Sequence, residues 1–262
     1  MFEFTQQQLD AWLLQFVWPF ARILALVGSA PLFSESTIPT RVKVGLAFML
    51  TAAVAPGLPP PPAIPPSSFA ALLLLAQQVL IGVAMGFAMR VVFAAVQTAG
   101  EFVGLQMGLS FASFFDPATG ANTAVLSRLF NIVAMLVFLA LDGHLLVLAA
   151  LVRSFDTLPL AEMGLDRNGW GLLAQWGETI FVSGLLLALP LICALLIINL
   201  AMGILNRAAP QLSVFAVGFP VSLIAGMVLL MVVLPQSAPF LEGLFRDGLR
   251  VMSEVAAGLA GI

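Results

Sequence analysis

What this chain lacks most is charge. Of its 262 residues only 9% are Asp, Glu, Lys or Arg, while 61% are apolar; a soluble domain carries about a quarter charged residues. With a mean hydropathy of +1.09, this composition excludes an ordinary soluble enzyme. It leaves an integral membrane protein or the apolar heart of an assembly. The basic residues are too few and too scattered, at a net charge of −3, to displace the counterions of a nucleic acid. The single cysteine, Cys193, has no second thiol to meet, which excludes a disulfide framework or a cysteine metal site. One histidine leaves little metal chemistry of any kind. Glu3 and Asp10 replace the basic start of a removable secretory leader, so none is expected. No glycine loop ends in Lys followed by Ser or Thr, and Ser110, Ser113 and Ser127 have no neighbouring base. No catalytic residue, metal site or cofactor is therefore expected.

What is present is a series of long apolar runs. Residues 9–30 have about the 20 residues that a bilayer-spanning helix requires, interrupted by Gln15, Pro19 and Arg22. A charge at the depth of Arg22 either faces a bundle interior with a polar partner or snorkels toward an interface. Pro31 and Pro39 break this helix, and residues 42–54 are apolar but short, as in a buried or re-entrant half-hairpin. Residues 56–66 hold seven prolines and no charge, the pattern of a stiff extended connector. Residues 69–106 form an apolar run far longer than one bilayer requires. It contains Arg90 and Glu101, and Gly82 and Gly86 stand at the spacing that lets helices approach closely.

Residues 123–152 read as one further long helix, with Arg128 near its start and Asp142, Gly143 and His144 in its second half. Asp142 and His144 are two apart, so on a helix they point about 200° from each other and cannot orient one another directly. They read as a polar notch that bonds a neighbouring helix in preference to a proton relay. Residues 154–169 are the most polar segment and are expected to be solvent-exposed. Residues 170–205 and 211–234 make an apolar hairpin whose tip carries Asn206, Arg207 and Gln211, with Pro190 and Pro220 expected to kink its arms. Beyond Pro235, Leu241, Leu244, Phe245, Met252, Val255 and Leu259 recur at helical spacing in an amphipathic helix suited to a membrane interface or to partner subunits. The charges within apolar runs, Arg22, Arg90, Glu101, Arg128 and Glu178, read as buried groups that pair between helices or between subunits, since burying any one alone is expensive.

One stretch differs from all of these. Residues 104–122 combine Gly104, Gly108, Gly120 and Pro117 with Leu105, Met107, Leu109, Phe111, Phe114 and Phe115. The glycines and proline disfavour a continuous helix, while the apolar side chains do not suit a wet turn. Irregular backbone at membrane depth is tolerated only where it is buried in protein or lines a cavity. Two readings stay open: an apolar plug in a pathway, or a loop that packs beneath the helices.

The same stretch carries a family resemblance. The run GEFVGLQMGLSFASFFDP, the later runs FLALDGHLLVLAALVRSFDTLP and NLAMGILNRAAPQLSVFAVGFP, and the opening WPFARILALVGSAPLFSESTIPTRVKVGLA resemble the FliR family of flagellar export-gate proteins nearly end to end. The resemblance implies an all-α fold of polytopic membrane-type helical hairpins in one domain over residues 1–262. Its parts would be a FliP-like portion over about 1–170, a FliQ-like hairpin over about 175–234 and an amphipathic helix over 236–260. It implies a core subunit that completes a helical ring of FliP and FliQ copies around a protein-conducting pore for unfolded flagellar proteins. The plug would be built from Met107, Leu109, Ser110, Phe111, Phe114, Phe115, Asp116 and Pro117. FlhB would wrap the assembly with FlhA beneath, in the bacterial inner membrane at the flagellar basal body, and the tip residues Asn206, Arg207 and Gln211 would face the cytoplasm. The residues alone keep a second class open, a secondary transporter for a small solute, although no inverted repeat is visible.

Overall fold

The computed structural model describes residues 6–60, 62, 64–109, 125–160, 164–208 and 218–261, with side chains from residue 13 onward. Among the described residues the regular structure is entirely helical. The α-helices are α1 (Gln6–Ser29), α2 (Thr40–Val54), α3 (Phe69–Gln106), α4 (Val125–Ala140), α5 (Gly143–Thr157), α6 (Arg167–Trp176), α7 (Thr179–Ala208), α8 (Phe219–Gln236) and α9 (Ala238–Ala260). A 3₁₀ turn, Ala55–Gly57, opens the proline-rich connector.

Apolar run length sets α3 at 38 residues, roughly 57 Å at 1.5 Å per residue. It continues through Gly104, which was expected to lie in irregular chain, and the helix gives way only at Met107–Gly108, where Gly108 adopts φ +81°. Residues 123–152 do not form one helix. Asp142 takes a left-handed φ of +54° and separates α4 from α5. Asp-Gly is a turn dipeptide, because Asp tolerates the left-handed region and Gly imposes no side chain, and the surrounding apolar run conceals it. The expected arm over 170–205 is likewise two helices, α6 and α7, parted at Gly177–Glu178. Pro190 does lie inside α7. Pro220 instead occupies the first turn of α8, where its missing N–H has no helical partner to lose.

The chain divides into two compact units, each discontinuous in sequence. The first comprises residues 1–91, 142–177 and 246–262. Within it α1 and α2 form a hairpin, and α3 lies against α1 at Gly82 and Gly86. A Cβ at Gly82 would collide with the Arg22 carbonyl, and one at Gly86 with Ser29 Oγ and, at 2.9 Å, the Ala30 nitrogen. Gly is required there because the backbones nearly touch. α6 meets the later turns of α9 in the same way: a Cβ on Gly169 would stand 2.6 Å from the Leu259 nitrogen, and the Asp166 N–H donates to the Leu259 carbonyl at 3.0 Å. The Trp176 indole N–H donates to the Ala88 carbonyl at 2.9 Å.

The second unit comprises residues 92–141 and 178–245. Its core holds Phe93, Phe138 and Phe245, with ring centroids 5.1 to 5.5 Å apart, the spacing of favourable tilted aromatic pairs. α7 approaches α3 at Gly184, where a Cβ would lie 2.9 Å from the Ala95 carbonyl. α7 and α8 form the second hairpin, and Ser222 Oγ donates to Asn199 Oδ1 across it at 2.8 Å.

Two surface expectations are corrected. Residues 154–169 are not uniformly exposed, since Ser154, Phe155, Leu158 and Leu160 are buried; α5 runs on to Thr157 and presents this end to α1. The apolar face of α9 is covered by the chain itself, with Leu241, Leu244, Phe245, Met252, Val255 and Leu259 all buried, and so does not wait for a membrane or a partner.

Candidate functional site

Arg22 is fully buried on α1. Its Nε donates to Gln78 Oε1 at 2.8 Å, Nη1 to the Ser154 carbonyl at 2.9 Å and to Ser154 Oγ at 3.1 Å, and Nη2 to the Leu158 carbonyl at 2.8 Å. Its guanidinium carbon lies 4.3 Å from the Phe155 ring centroid. Every one of these partners is neutral. The charge is met by the last carbonyls of α5, the negative end of that helix dipole, and by an aromatic face. Hydrogen bonds to a charged group contribute about 1.5–3 kcal/mol each, so this guanidinium joins α1, α3 and the end of α5. Between the two readings open at the sequence level, interior and interface, the structure takes the interior. Gln78 and Ser154, which complete the arrangement, were missed; a glutamine in the middle of an apolar run was the available signal.

The other singled-out charges are arranged differently. Arg90, Glu101, Arg128, Asp142 and Glu178 are exposed on this chain, so burial within one subunit is not their state. Among the described residues none of the five has an ion-pair partner. The reason is geometric: each lies on the outer side of its helix or, for Asp142, at the corner between α4 and α5. His144 is half-buried and its Nδ1 is buried without a hydrogen-bond partner, so the expected bond to a neighbouring helix is not made through that atom. No group of three His, Cys, Asp or Glu able to hold a metal ion occurs among the described residues.

The start of the central loop can be followed to Leu109. The Gly108 N–H donates to the Leu105 carbonyl and the Leu109 N–H to the Gly104 carbonyl, both at 3.0 Å, a tight turn that the positive φ of Gly108 allows. Met107, expected among the plug residues, is instead buried against α8, where Gly226 makes room; a Cβ there would stand 2.6 Å from Met107 Cε. Leu109 is half-buried. Ser110, Phe111, Phe114, Phe115, Asp116 and Pro117 lie outside the described residues, as does Gln211 at the hairpin tip. Of the other tip residues, Asn206 is half-buried and Arg207 exposed in the last turn of α7, where a cation complements the helix dipole.

A seam that sequence reasoning missed joins α3 to α4. At Gly100 the two backbones approach so closely that a Cβ would lie 2.6 Å from Ser127 Cα. Beside that contact the Gln97 amide donates to Asn131 Oδ1 at 3.0 Å, on the exposed side.

Among the described residues three stretches are long and apolar enough to cross a membrane: α3, the run Arg167–Ala208 that α6 and α7 share, and α8, with α4 and α5 making a fourth if that broken pair counts as one. In the most apolar eighteen-residue window, 67% of α3 is buried, against 28% for Arg167–Ala208 and 17% for α8. The hairpin of α7 and α8 thus shows bare apolar faces, including Phe181, Ile197, Leu200, Ile224 and Met231.

Comparison with known proteins gives this arrangement a context. The family described as "Bacterial export proteins, family 1" matches residues 13–248. The chain is 48% identical over 259 residues to the flagellar biosynthetic protein FliR of Escherichia coli (strain K12), covering 99% of both chains. It is 47% identical over 260 residues to the FliR of Pectobacterium carotovorum subsp. carotovorum, again covering 99% of both. Against the FliR of Bacillus subtilis (strain 168) the identity is 28% over 251 residues, covering 94% of this chain and 96% of that one.

Proposed function

Because the chain belongs to the FliR family of bacterial export proteins, we propose that it serves flagellar protein export as a core subunit of the export gate, with no catalytic step of its own. In this reading it assembles with FliP and FliQ copies around a protein-conducting pore in the bacterial inner membrane, within the flagellar basal body. FlhB and FlhA are its further partners, and unfolded flagellar proteins are the cargo. Residues 1–170 supply the FliP-like part and residues 175–234 the FliQ-like hairpin. The observation that carries the reading is the near-complete alignment with FliR chains at 48% identity. The bare hairpin of α7 and α8 supports it, since apolar faces that the chain does not cover are what a ring subunit offers its neighbours.

Within that gate the loop after Met107 acts as the seal. Leu109, Ser110, Phe111, Phe114, Phe115, Asp116 and Pro117 follow in sequence a helix that ends at a left-handed glycine. A constriction lined by phenylalanine excludes ions by dewetting. The test is a chain lacking residues 110–115, introduced in place of the intact one in the bacterium that makes it. Planar-bilayer conductance of the purified complex should rise, while subunit composition stays the same. An intact complex as tight as the native one would show that the loop only packs, and continued secretion of flagellar proteins without any copy of this chain would remove the export role itself.

A further inference from the structure

We infer that Met107 is a latch: its contact with Gly226 makes the turn that ends α3 depend on where α8 sits, and the contact opens while protein is exported. The inference rests on the export reading above. Met107 continues along α3 the buried stripe of Ala99 and Val103, each one helical turn from the next. Its N–H donates to the Val103 carbonyl at 2.9 Å, so it still follows the helical pattern. The next two N–H groups turn back on the helix, Gly108 to the Leu105 carbonyl and Leu109 to the Gly104 carbonyl, with Gly108 left-handed. This is the pairing of a Schellman cap, and Met107 is its C-cap residue.

On the other side of the contact, little of this chain holds α8. Its buried residues are Ser222, Gly226 and Leu230, one turn apart on a single face, while Ile224, Met227, Val228, Met231 and Val232 are exposed. Ser222 bonds to Asn199 of α7. Gly226 receives Met107: a Cβ there would stand 2.6 Å from Met107 Cγ and Cε and 2.8 Å from Sδ, so the thioether lies across the α8 backbone. A push on the bare side of α8 is therefore delivered to the residue on which the cap of α3 is built.

The side chains suit a contact that gives way and re-forms. Methionine is unbranched and flexible, so it can leave a slot and return to it, and glycine leaves that slot open by having no side chain of its own. Close-packed contacts switch between discrete arrangements and do not deform continuously. With Met107 in place, two backbone bonds and a buried thioether hold the turn; with Met107 out, the two bonds are left alone. In the export reading the residues that follow this turn in sequence carry the seal, so the latch connects the surface offered to neighbouring subunits with the start of that segment.

The test locks the contact. Met107→Cys with Gly226→Cys, in the full assembled complex with Cys193→Ser, places two thiols where Met107 Cγ now meets the Gly226 slot, within reach of a disulfide. Copper(II) phenanthroline takes two electrons from the pair as the two thiol protons leave to water, and dithiothreitol reverses the step. Oxidation should stop secretion of flagellar proteins and reduction should restore it, with the same subunits present in both states. A cross-linked complex that secretes as fast as its reduced form would overturn the inference, since a contact that only supports the fold works equally well when locked. Failure of the disulfide to form in the assembled complex would overturn it too, because the two residues would then not meet there. The opposite perturbation is Gly226→Ala, whose methyl occupies the slot, or Met107→Ala. Each should raise the planar-bilayer conductance of the resting complex severalfold, and the two together no more than either alone. Native conductance in both variants would show that the turn is held without the latch. Secretion that continues with no copy of this chain present would instead remove the export reading.

Discussion

α3 and the α7–α8 hairpin are built from similarly apolar sequence and end in opposite situations. On α3, glycines at 82, 86 and 100 let the backbones of α1 and α4 come into direct contact, and two thirds of its apolar window is buried. Gly203 on α7 has nothing within 4 Å, and its neighbours Leu200 and Ile204 are exposed. Hydropathy does not separate a helix that completes its own core from one whose apolar face the chain leaves bare. The difference lies in how far such matching extends: in the hairpin Gly184 and Gly226 meet α3 and Met107, while Gly203 meets nothing within the chain.

The strongest way to break this contrast is to withhold partners. Expressed without FliP and FliQ, the chain should aggregate or be degraded, with proteolysis starting in residues 179–236 before it reaches α3. A monodisperse, protease-resistant monomer in mild detergent would mean that the bare hairpin is covered by lipid alone. Next in size is Arg22→Leu. Removing the guanidinium leaves the Gln78 side-chain oxygen and the Leu158 carbonyl in a buried site without their donor, and a buried polar group left unsatisfied costs about 1–3 kcal/mol. The assembled complex should show a lower thermal midpoint, and an unchanged midpoint would mean that water replaces the guanidinium.

A third experiment sharpens the comparison by using the same residue type on both sides. Gly86→Ala forces the Ala30 backbone to move and should destabilise the chain by about 1–3 kcal/mol. Gly203→Leu meets nothing within the chain and should leave the fold intact, as read by circular dichroism, while weakening co-purification with FliQ. If both substitutions act alike, the two surfaces are not distinct. The smallest effect concerns Arg207, exposed at the end of α7. Arg207→Glu places a negative charge at the negative end of a helix and should reduce FlhB recovery severalfold with the FliP and FliQ core still assembled. Equal FlhB recovery would assign the tip no contact with that partner.

Much of this was legible in sequence where a feature is local. The bounds of α3 follow from apolar run length, the glycine pair 82 and 86 from its spacing, and the apolar face of α9 from its helical period, although what covers that face did not. What escaped depends on distance through space. Asp142 could have been read as a corner from its Asp-Gly pair, but the apolar residues on both sides suggested an unbroken helix. Arg22 was visible as an anomaly. Its partners were not, because they come from residues 78 and 154–158 and carry no charge to advertise them. Arg90, Glu101 and Arg128 were recognised as unusual and read as pairing between helices or between subunits; that all three are exposed on this chain was not legible, since a linear pattern shows that a charge exists and not which side of the helix the rest of the chain leaves open. The Gln97–Asn131 seam needed two helices to be brought together before it existed at all.

The contact between α6 and α9 bears on the order in which the molecule is made. Residues 1–91 emerge first, yet the unit they belong to also needs residues 246–262, and Gly169 and the Asp166 N–H are satisfied only when Leu259 arrives. At about 5–20 residues per second, on the order of ten seconds of synthesis separates the two. During that interval the face of α6 that receives Leu259 stands open, while the second unit, complete at residue 245, closes earlier. The unit begun first is finished last, so the newborn chain carries that open face until its final turns are made.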